Sequence, residues 1–324
     1  MAEVYFSFFS LILVIPLSLL LLLYFIVRPK PVHIPIKNRH VFITGGSSGI
    51  GLALGHLCAR GGADVTLLAR SVSKLEEAKQ SIKLSTGRDV RVVSADVRDY
   101  DAVKRAVDEA GPIDVLVCNH GVYIPQELED QNMEEIKFMI DVNLTGSFHL
   151  IKAALPAMKK TRAERGPGSI ALMSSQAGQV GIYGYAAYSA SKFGLRGLAE
   201  SLLHETITDN IHVSLIFPPD TDTPGFAEEN KRRPQLTSII AASSGAMKAD
   251  QVAQKSLAGI CSGSFNVNCN LLGLLLSGAT AGLSPQRSCL MAFMEVMTAG
   301  LMRVVALFLQ WDWFRNIEKW HAKK

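Results

Sequence analysis

Tyr188 and Lys192 stand four positions apart in the run Tyr188-Ser189-Ala190-Ser191-Lys192. On a helix that spacing puts both side chains on one face, a turn apart. A phenol hydroxyl titrates near ~10, so acid–base work near neutrality needs it lowered by ~3 units, which is ~4 kcal/mol. An adjacent ammonium, helped by any further positive charge nearby, supplies stabilisation of that order. The chemistry such a pair performs is proton exchange with a carbonyl/alcohol couple. Ser175 lies thirteen positions before Tyr188 at the end of an apolar run, where its hydroxyl could hold a carbonyl oxygen. Asn143 offers an amide that could organise a water. Tyr183 and Tyr185 lie nine and seven positions before Lys192, and neither has the one-turn spacing.

A second group of residues suits a dinucleotide. The run Thr44-Gly45-Gly46-Ser47-Ser48-Gly49-Ile50-Gly51 follows an apolar strand pattern and opens a helical one. Glycines there allow close backbone approach to a pyrophosphate, and the helix N-terminus supplies N–H groups and positive dipole. Gly45, Ser47, Ser48, Gly49, Ile50 and Gly51 are therefore candidate cofactor contacts. Gly45 to Gly49 also spell the G-x-S-x-G of a hydrolase elbow, but that elbow belongs in mid-domain after several strands, with later acidic and histidine partners. After the second strand stands Ala69-Arg70-Ser71, with Lys74 one turn on. An acidic residue there would favour NAD, whereas Arg70 and Lys74 suit the 2′-phosphate of NADP(H). A solvated surface arginine is the plainer alternative. Asp96, after the third strand, is placed to accept from the adenine amino group.

The elements that must position these groups follow from hydropathy. Apolar runs at 40–44, 64–69, 90–95, 114–119, 169–174 and 212–217 alternate with amphipathic stretches at 73–84, 101–110 and 132–160. Continuously apolar strands separated by helices indicate an α/β doubly wound parallel sheet, the Rossmann arrangement, covered on both faces. With 48% hydrophobic and 19% charged residues a packed core is expected, and a net charge of +4 gives no reason to expect nucleic acid as a partner. Five cysteines with no metal-ligand spacing fit reduced, buried thiols, and no metal site is expected.

Residues 1–27 are expected to be a transmembrane anchor. The 24 positions from Val4 to Val27 carry no charge, enough at ~1.5 Å per residue to cross a ~30 Å hydrocarbon core. A cleaved signal peptide is disfavoured by Glu3, by the length of the run and by the lack of a small-residue cleavage site. Arg28, Lys30, Lys37 and Arg39 then place the rest of the chain in the cytosol. Asn143-Leu144-Thr145, the one N-glycosylation acceptor, falls in a stretch expected to be buried, which agrees with that location. Pro29, Pro31 and Pro35 mark a stiff linker, 28–39. A catalytic domain is expected over 40–270 and an apolar, membrane-associated region over 271–324. Within it, 271–283 reads as a last buried strand and turn or as part of a membrane segment. Residues 288–310, interrupted by Glu295 and Arg303, read as a membrane-contacting hairpin, an interfacial helix or a second span.

From about 40 to 225 the chain resembles the short-chain dehydrogenase/reductases. The resemblance rests on TGGSSGIG, on Asn119-His120-Gly121, on Asn143 and Ser175, and on Tyr188 with Lys192. It implies that Ser175 polarises a ketone, Tyr188 protonates it, Lys192 holds the nicotinamide ribose and lowers the tyrosine pKa, and Asn143 supports a relay water. It also implies cofactor contacts at Val97, Asn119, Ser174, Thr221 and Thr223 and through Tyr188 and Lys192, and a homodimer through the helices bearing Asn143 and Tyr188. Two departures stand beside the nicotinamide position: His120 for a small residue, and Pro219 for the glycine of PGxxxT. The stretches SSQAGQVGIYGYAAYSASKFGLRGLAESL and PPDTDTPGFAEEN resemble the members that reduce a long-chain sphingoid ketone with NADPH. That implies reduction of 3-ketosphinganine to sphinganine at the endoplasmic reticulum membrane, facing the cytosol, with the bilayer as a partner and the apolar C-terminal segments as the substrate entrance. Rival readings are a steroid or retinoid ketone reductase of the same family, and a non-catalytic NADP-binding scaffold. A scaffold is expected to have lost one of the four catalytic groups, and none is missing.

Overall fold

Strands form where apolar runs can be covered on both sides. In the computed structural model, which describes residues 2–27, 31–241 and 245–323, all six expected strands are present. They are β1 (His40–Thr44), β2 (Asp64–Ala69), β3 (Arg91–Ser94), β4 (Val115–Cys118), β5 (Gly168–Met173) and β6 (Ile211–Phe217). A short pair, β7 (Thr221–Asp222) and β8 (Met247–Lys248), stands apart, and β9 (Asn266–Asn268) completes the main sheet. That sheet is parallel throughout, in the order β3-β2-β1-β4-β5-β6-β9. The helices are α1 (Ala2–Val27), α2 (Gly49–Arg60), α3 (Val72–Thr86), α4 (Tyr100–Ala110), α5 (Met133–Ile140), α6 (Gly146–Arg165), α7 (Ala186–Thr206), α8 (Pro224–Glu229), α9 (Gln235–Ala241), α10 (Ala249–Cys261), α11 (Leu271–Ala279) and α12 (Cys289–His321).

The pleat sorts successive side chains into two cores. Phe42, Leu116 and Leu215 pack with α4, α6 and α7 on one face. Ile43, Val117 and Ile216 pack with α2, α3 and α10 on the other. The sheet is buried on both faces, as its unbroken apolar strands require. Strand order reverses between β1 and β4, and the crevice beyond their C-terminal ends is where such sheets bind ligands.

At the opposite end a single carboxylate gathers the chain. Asp114 is wholly buried. It accepts from the His40 amide at 2.9 Å, from Arg162 at 2.8 Å and from Arg165 Nε at 2.8 Å, with Arg39 at 3.5 Å. Burial alone would raise its pKa, but the Arg165 and Arg162 hydrogen bonds outweigh that and hold it well below the usual carboxylate range. The stretch before β1 is docked as well, since Ile34 is fully buried and its amide donates to Cys261 O at 2.8 Å. The expectations for Arg28, Pro29 and Lys30 lie outside the described residues.

The C-terminal region differs from a strand reading of 271–283. Those residues begin with the helix α11, capped by Asn270, whose side chain accepts from the Gly273 amide at 2.8 Å. The seventh strand is β9, a three-residue edge strand with polar asparagines, too short to show a pattern. Helix α12 has 33 residues, mean hydropathy 1.8 in its most apolar stretch and little burial, so its length and composition suffice to cross a membrane. Both of its ends nevertheless touch the catalytic domain. Arg287, just before it, meets His212 Nδ1 at 2.9 Å, and the His321 ring lies 6.5 Å from that of Tyr183. Glu295 is held by Gln286 at 2.7 Å. Helix α1 packs alongside α12, with Cys289 Sγ 3.7 Å from Leu20 O.

Replacing Asp114 by Asn leaves buried guanidinium groups without a counter-charge. This should lower unfolding stability by about 3 kcal/mol, read by denaturant titration. Because the folded pKa is depressed, the wild-type advantage is present above the unfolded value of ~3.9 and disappears as pH falls below it.

Candidate active site

The floor of the crevice is the turn between β1 and α2. Gly45 and Gly49 have φ of 63° and 55°, a left-handed backbone that glycine adopts freely. Gly51 serves close packing instead, because a Cβ there would lie 2.3 Å from Gly45 O and 2.6 Å from Asn119 Nδ2. Asn119 holds the turn from the end of β4, donating to Thr44 O at 3.1 Å and Gly45 O at 3.4 Å. The first turn of α2 has no side-chain cap and opens toward the crevice.

Thr44 Oγ1 accepts from the amides of Asn119 and His120 at 3.0 and 3.2 Å and lies 2.8 Å from His120 Nδ1. Burial, reinforced by the Lys192 charge, pushes the His120 imidazole down to about 3, so it is neutral at physiological pH. Its bulk, where the family has a small residue, is matched by a glycine: a Cβ on Gly146 would meet Val97 Cγ2 at 2.8 Å and His120 Nε2 at 3.1 Å. The second departure is absorbed by carbonyls. Pro218 O accepts from the Gln176 amide at 3.0 Å and Asp220 O from the Met247 amide at 2.9 Å, so the pairing does not need the N–H that Pro219 lacks.

Tyr188 and Lys192 share one face of α7, as their spacing requires. The Lys192 ammonium is buried, donates to Met173 O at 2.9 Å and lies 5.6 Å from the centre of the Tyr188 ring. Ser174 fastens α7 to the end of β5, its hydroxyl donating to Lys192 O at 3.1 Å. Ser175 Oγ accepts from the Ala177 amide at 3.1 Å and donates to no described residue. Asn143 sits in a widened helical turn over Asp141–Thr145 and is fully buried. Its Oδ1 accepts from the Val122 amide at 2.8 Å, while Nδ2 donates to Val122 O and Ser191 Oγ, both at 3.0 Å. The amide thus clamps the loop after β4 onto α7. A Cβ on Gly121 would lie 3.4 Å from Asn143 Oδ1 and 3.5 Å from Lys192 Nζ, so this glycine keeps the space between them open.

One cavity of ≈ 820 Å³ runs past all of these groups. At one end stand Arg70 and Lys74, then Asp96 and Val97, with Ser47, Ser48 and Ile50 along the floor; Ser174, Ser175, Tyr188, Lys192, Thr221 and Thr223 follow. Every expected site residue lines it except Gly51, beneath the turn, and Asn143, behind Gly121. Asp96 already takes Arg98 in a two-pronged contact, at 2.6 to 3.1 Å. Thr223 caps α8, accepting from the Phe226 amide at 3.1 Å, and its methyl lies against Gly49.

Spacing along the chain did not reveal the other wall. Tyr185 is buried in this cavity, its ring edge-on to Tyr188 at 5.9 Å, with Tyr123 edge-on to both at 4.9 and 5.0 Å. Phe226 stacks on Tyr123 at 6.2 Å. Ile240, Leu272, Leu276, Leu309 and Trp313 add an apolar end contributed by α9, α11 and α12. The Leu-rich run of α11 was the available signal, but nothing local aimed it at the site. A polar clasp does the aiming: Gln179 Nε2 donates to Gly273 O at 3.1 Å and to Ser277 Oγ at 2.7 Å, and Gln176 to Asn270 Oδ1 at 2.7 Å.

The parallel sheet, the glycine turn and the Tyr–Lys pair define an oxidoreductase fold with a nicotinamide site. The short chain dehydrogenase family model matches residues 39–234, and the chain belongs to that family. Over 318 residues it is 63% identical to the 3-dehydrosphinganine reductase TSC10B of Arabidopsis thaliana, covering 98% of this chain and 96% of that protein. It is 41% identical over 302 residues to the 3-dehydrosphinganine reductase of Danio rerio, covering 90% and 89%. Among solved structures, a short chain dehydrogenase/reductase family protein matches with TM-score 0.61 at 27% identity, covering 73% of this chain and 98% of that one. The family uses a nicotinamide cofactor, and the side-chain-free turn at Gly45 and Gly51 fits close approach by a pyrophosphate.

Gly51→Ala forces Gly45 and Asn119 apart. It should weaken binding of the reduced dinucleotide by at least about tenfold, read by quenching of protein fluorescence, with the sheet retained by circular dichroism.

Proposed function

We propose that this protein reduces 3-dehydrosphinganine to sphinganine with NADPH, acting on a substrate drawn from the endoplasmic reticulum membrane on its cytosolic side. The observation that carries this reading is the single cavity joining Ser175, Tyr188 and Lys192 to an apolar end formed by Leu272, Leu276, Leu309 and Trp313. A ketone on a long alkyl chain needs both. The 3-dehydrosphinganine reductases noted above support the substrate.

Bound NADPH supplies the hydride to the carbonyl carbon. Ser175 donates a hydrogen bond to the carbonyl oxygen, keeping its own proton, and orients the ketone. Tyr188 gives its proton to the same oxygen as negative charge develops there. Lys192, held by Met173 O, favours the phenolate that remains. Asn143 positions the helix that carries both groups, through Val122 and Ser191, and with Lys192 borders the space beside Gly121. Arg70 and Lys74 hold the 2′-phosphate, since no acidic residue stands at the end of β2 to take a ribose hydroxyl.

Helix α1 anchors the domain in the bilayer. Helix α12, ~50 Å long, exceeds a ~30 Å hydrocarbon core. Its Arg287 and His321 ends both lie beside the catalytic domain, which supports a helix lying along the membrane over one that crosses it. It therefore rests on the membrane with Leu301, Val304 and Phe308 outward. Substrate then enters past α11 and α12 without leaving apolar surroundings.

NADPH oxidation by the full-length protein with 3-dehydrosphinganine tests the reading. Tyr188→Phe should lower kcat roughly 10²–10⁴-fold with cofactor binding retained. Turnover of a steroid ketone alone would overturn the substrate, and Tyr188→Phe activity equal to wild type would overturn the chemistry. Separately, Arg70→Asp should move the ratio of kcat/KM for NADPH over NADH at least about tenfold toward NADH.

A further inference from the structure

The substrate proposed above carries a charge that none of the groups assigned so far addresses. Beside its ketone stands an amine, protonated near neutrality. Lys192 lines the reacting end of the cavity and repels an ammonium, while Arg70 and Lys74 lie at the other end. The lining contains two carboxylates, Asp96 and Asp220. Asp96 lies at the adenine end, with both oxygens engaged by Arg98. Asp220 lies at the other end, between Pro219 and Thr221, on the strand extension that Pro218 O ties to Gln176, one residue beyond Ser175.

The Asp220 carboxylate is half used. Oδ2 accepts from Arg233 Nη1 at 2.6 Å, and Oδ1 accepts from no described residue. The side chain keeps 27% of its exposure, whereas that of Arg233 keeps only 7%. Arg233 is therefore the buried support and Asp220 the group that faces the cavity. The guanidinium is seated over Tyr185 at 5.6 Å and over Phe226 at 5.9 Å. Tyr185 is in turn edge-on to Tyr188. The chain Asp220–Arg233–Tyr185–Tyr188 brings the carboxylate to the same end of the cavity as the proton donor. The faces of Tyr123, Tyr185 and Phe226 add the negative quadrupole that attracts cations.

We infer that Asp220 is the counter-ion of the substrate's amino group, which makes the site selective for long-chain ketones bearing a cationic amine beside the carbonyl. This rests on the ketone-reductase reading. The alkyl tail lies toward Leu272, Leu276, Leu309 and Trp313, the carbonyl between Ser175 and Tyr188, and the ammonium against Oδ1. Asp220 contributes to selection and orientation and takes no part in proton or hydride transfer.

The experiment compares two ketones on full-length enzyme with saturating NADPH. One is 3-dehydrosphinganine; the other is the same long-chain hydroxy ketone without the amine. Asp220→Asn keeps the size of the side chain and an oxygen for Arg233. It should raise KM for the amino ketone about tenfold or more and change KM for the amine-free ketone less than about twofold. In wild type the preference for the amino ketone should fade as pH rises above the amine's own pKa. Equal losses on both ketones, with KM for NADPH also raised, would make Asp220 only the latch that holds Arg233, and would overturn the inference. Unchanged KM on both would overturn it equally. Wild-type enzyme that reduces neither ketone would overturn the reductase reading itself, an outcome separate from the other two.

Discussion

Lys192 brings a positive charge to a position where only 4% of the residue is exposed. An ammonium so placed must be compensated locally. Met173 O, at the end of β5, accepts from it at 2.9 Å. That contact fixes where α7 lies against the sheet, and the distance from Lys192 to Tyr188 follows from the helix itself. Ser174, the next residue, returns a hydrogen bond to Lys192 O. The following one is Ser175, so strand end, ammonium and cavity-lining hydroxyl are set by one short stretch of chain. The same charge reinforces the neutral state of His120 across the crevice.

The sheet imposes a polarity on the rest. All seven strands of the main sheet run the same way, so their C-terminal ends share one edge and everything chemical collects there. The other edge is structural, with Asp114 drawing Arg39, Arg162 and Arg165 into one cluster. Arg39 directly precedes β1, so the segment between α1 and the sheet is tied to this base. The catalytic crevice is left free to open sideways, along the flank where α11 and α12 lie.

That flank reconciles a polar reaction with an apolar substrate. Gln176 and Gln179 belong to the short turn after Ser175, and their amides hold Asn270, Gly273 and Ser277. The apolar end of the cavity is thus bonded to the turn that begins just after Ser175.

How much of this was legible beforehand follows from the range of the interactions. Strands β1 to β6 are runs of five or so apolar residues whose burial is a local property, so hydropathy alone located them. The Tyr188–Lys192 pair and the glycine turn are also local, because a helix or a tight turn sets their geometry within a few residues. The three-residue β9 offered no period to read, and α11 was open to a strand reading because a short apolar run has no unique secondary structure. Tyr185 was passed over because only spacing to Lys192 was available, whereas its place in the site depends on Tyr123 and Arg233, far away in the chain. Length and composition left α12 free to span or to lie flat. The contacts of Arg287 with His212 and of His321 with Tyr183 join positions more than seventy residues apart. Sequence alone therefore determined the fold class and named the candidate groups of the glycine turn and the Tyr–Lys pair, which the fold brings to one cavity. Only the tertiary structure decided which side chains close the cavity and that both ends of α12 lie beside the catalytic domain, because long-range packing leaves no periodic mark on the chain.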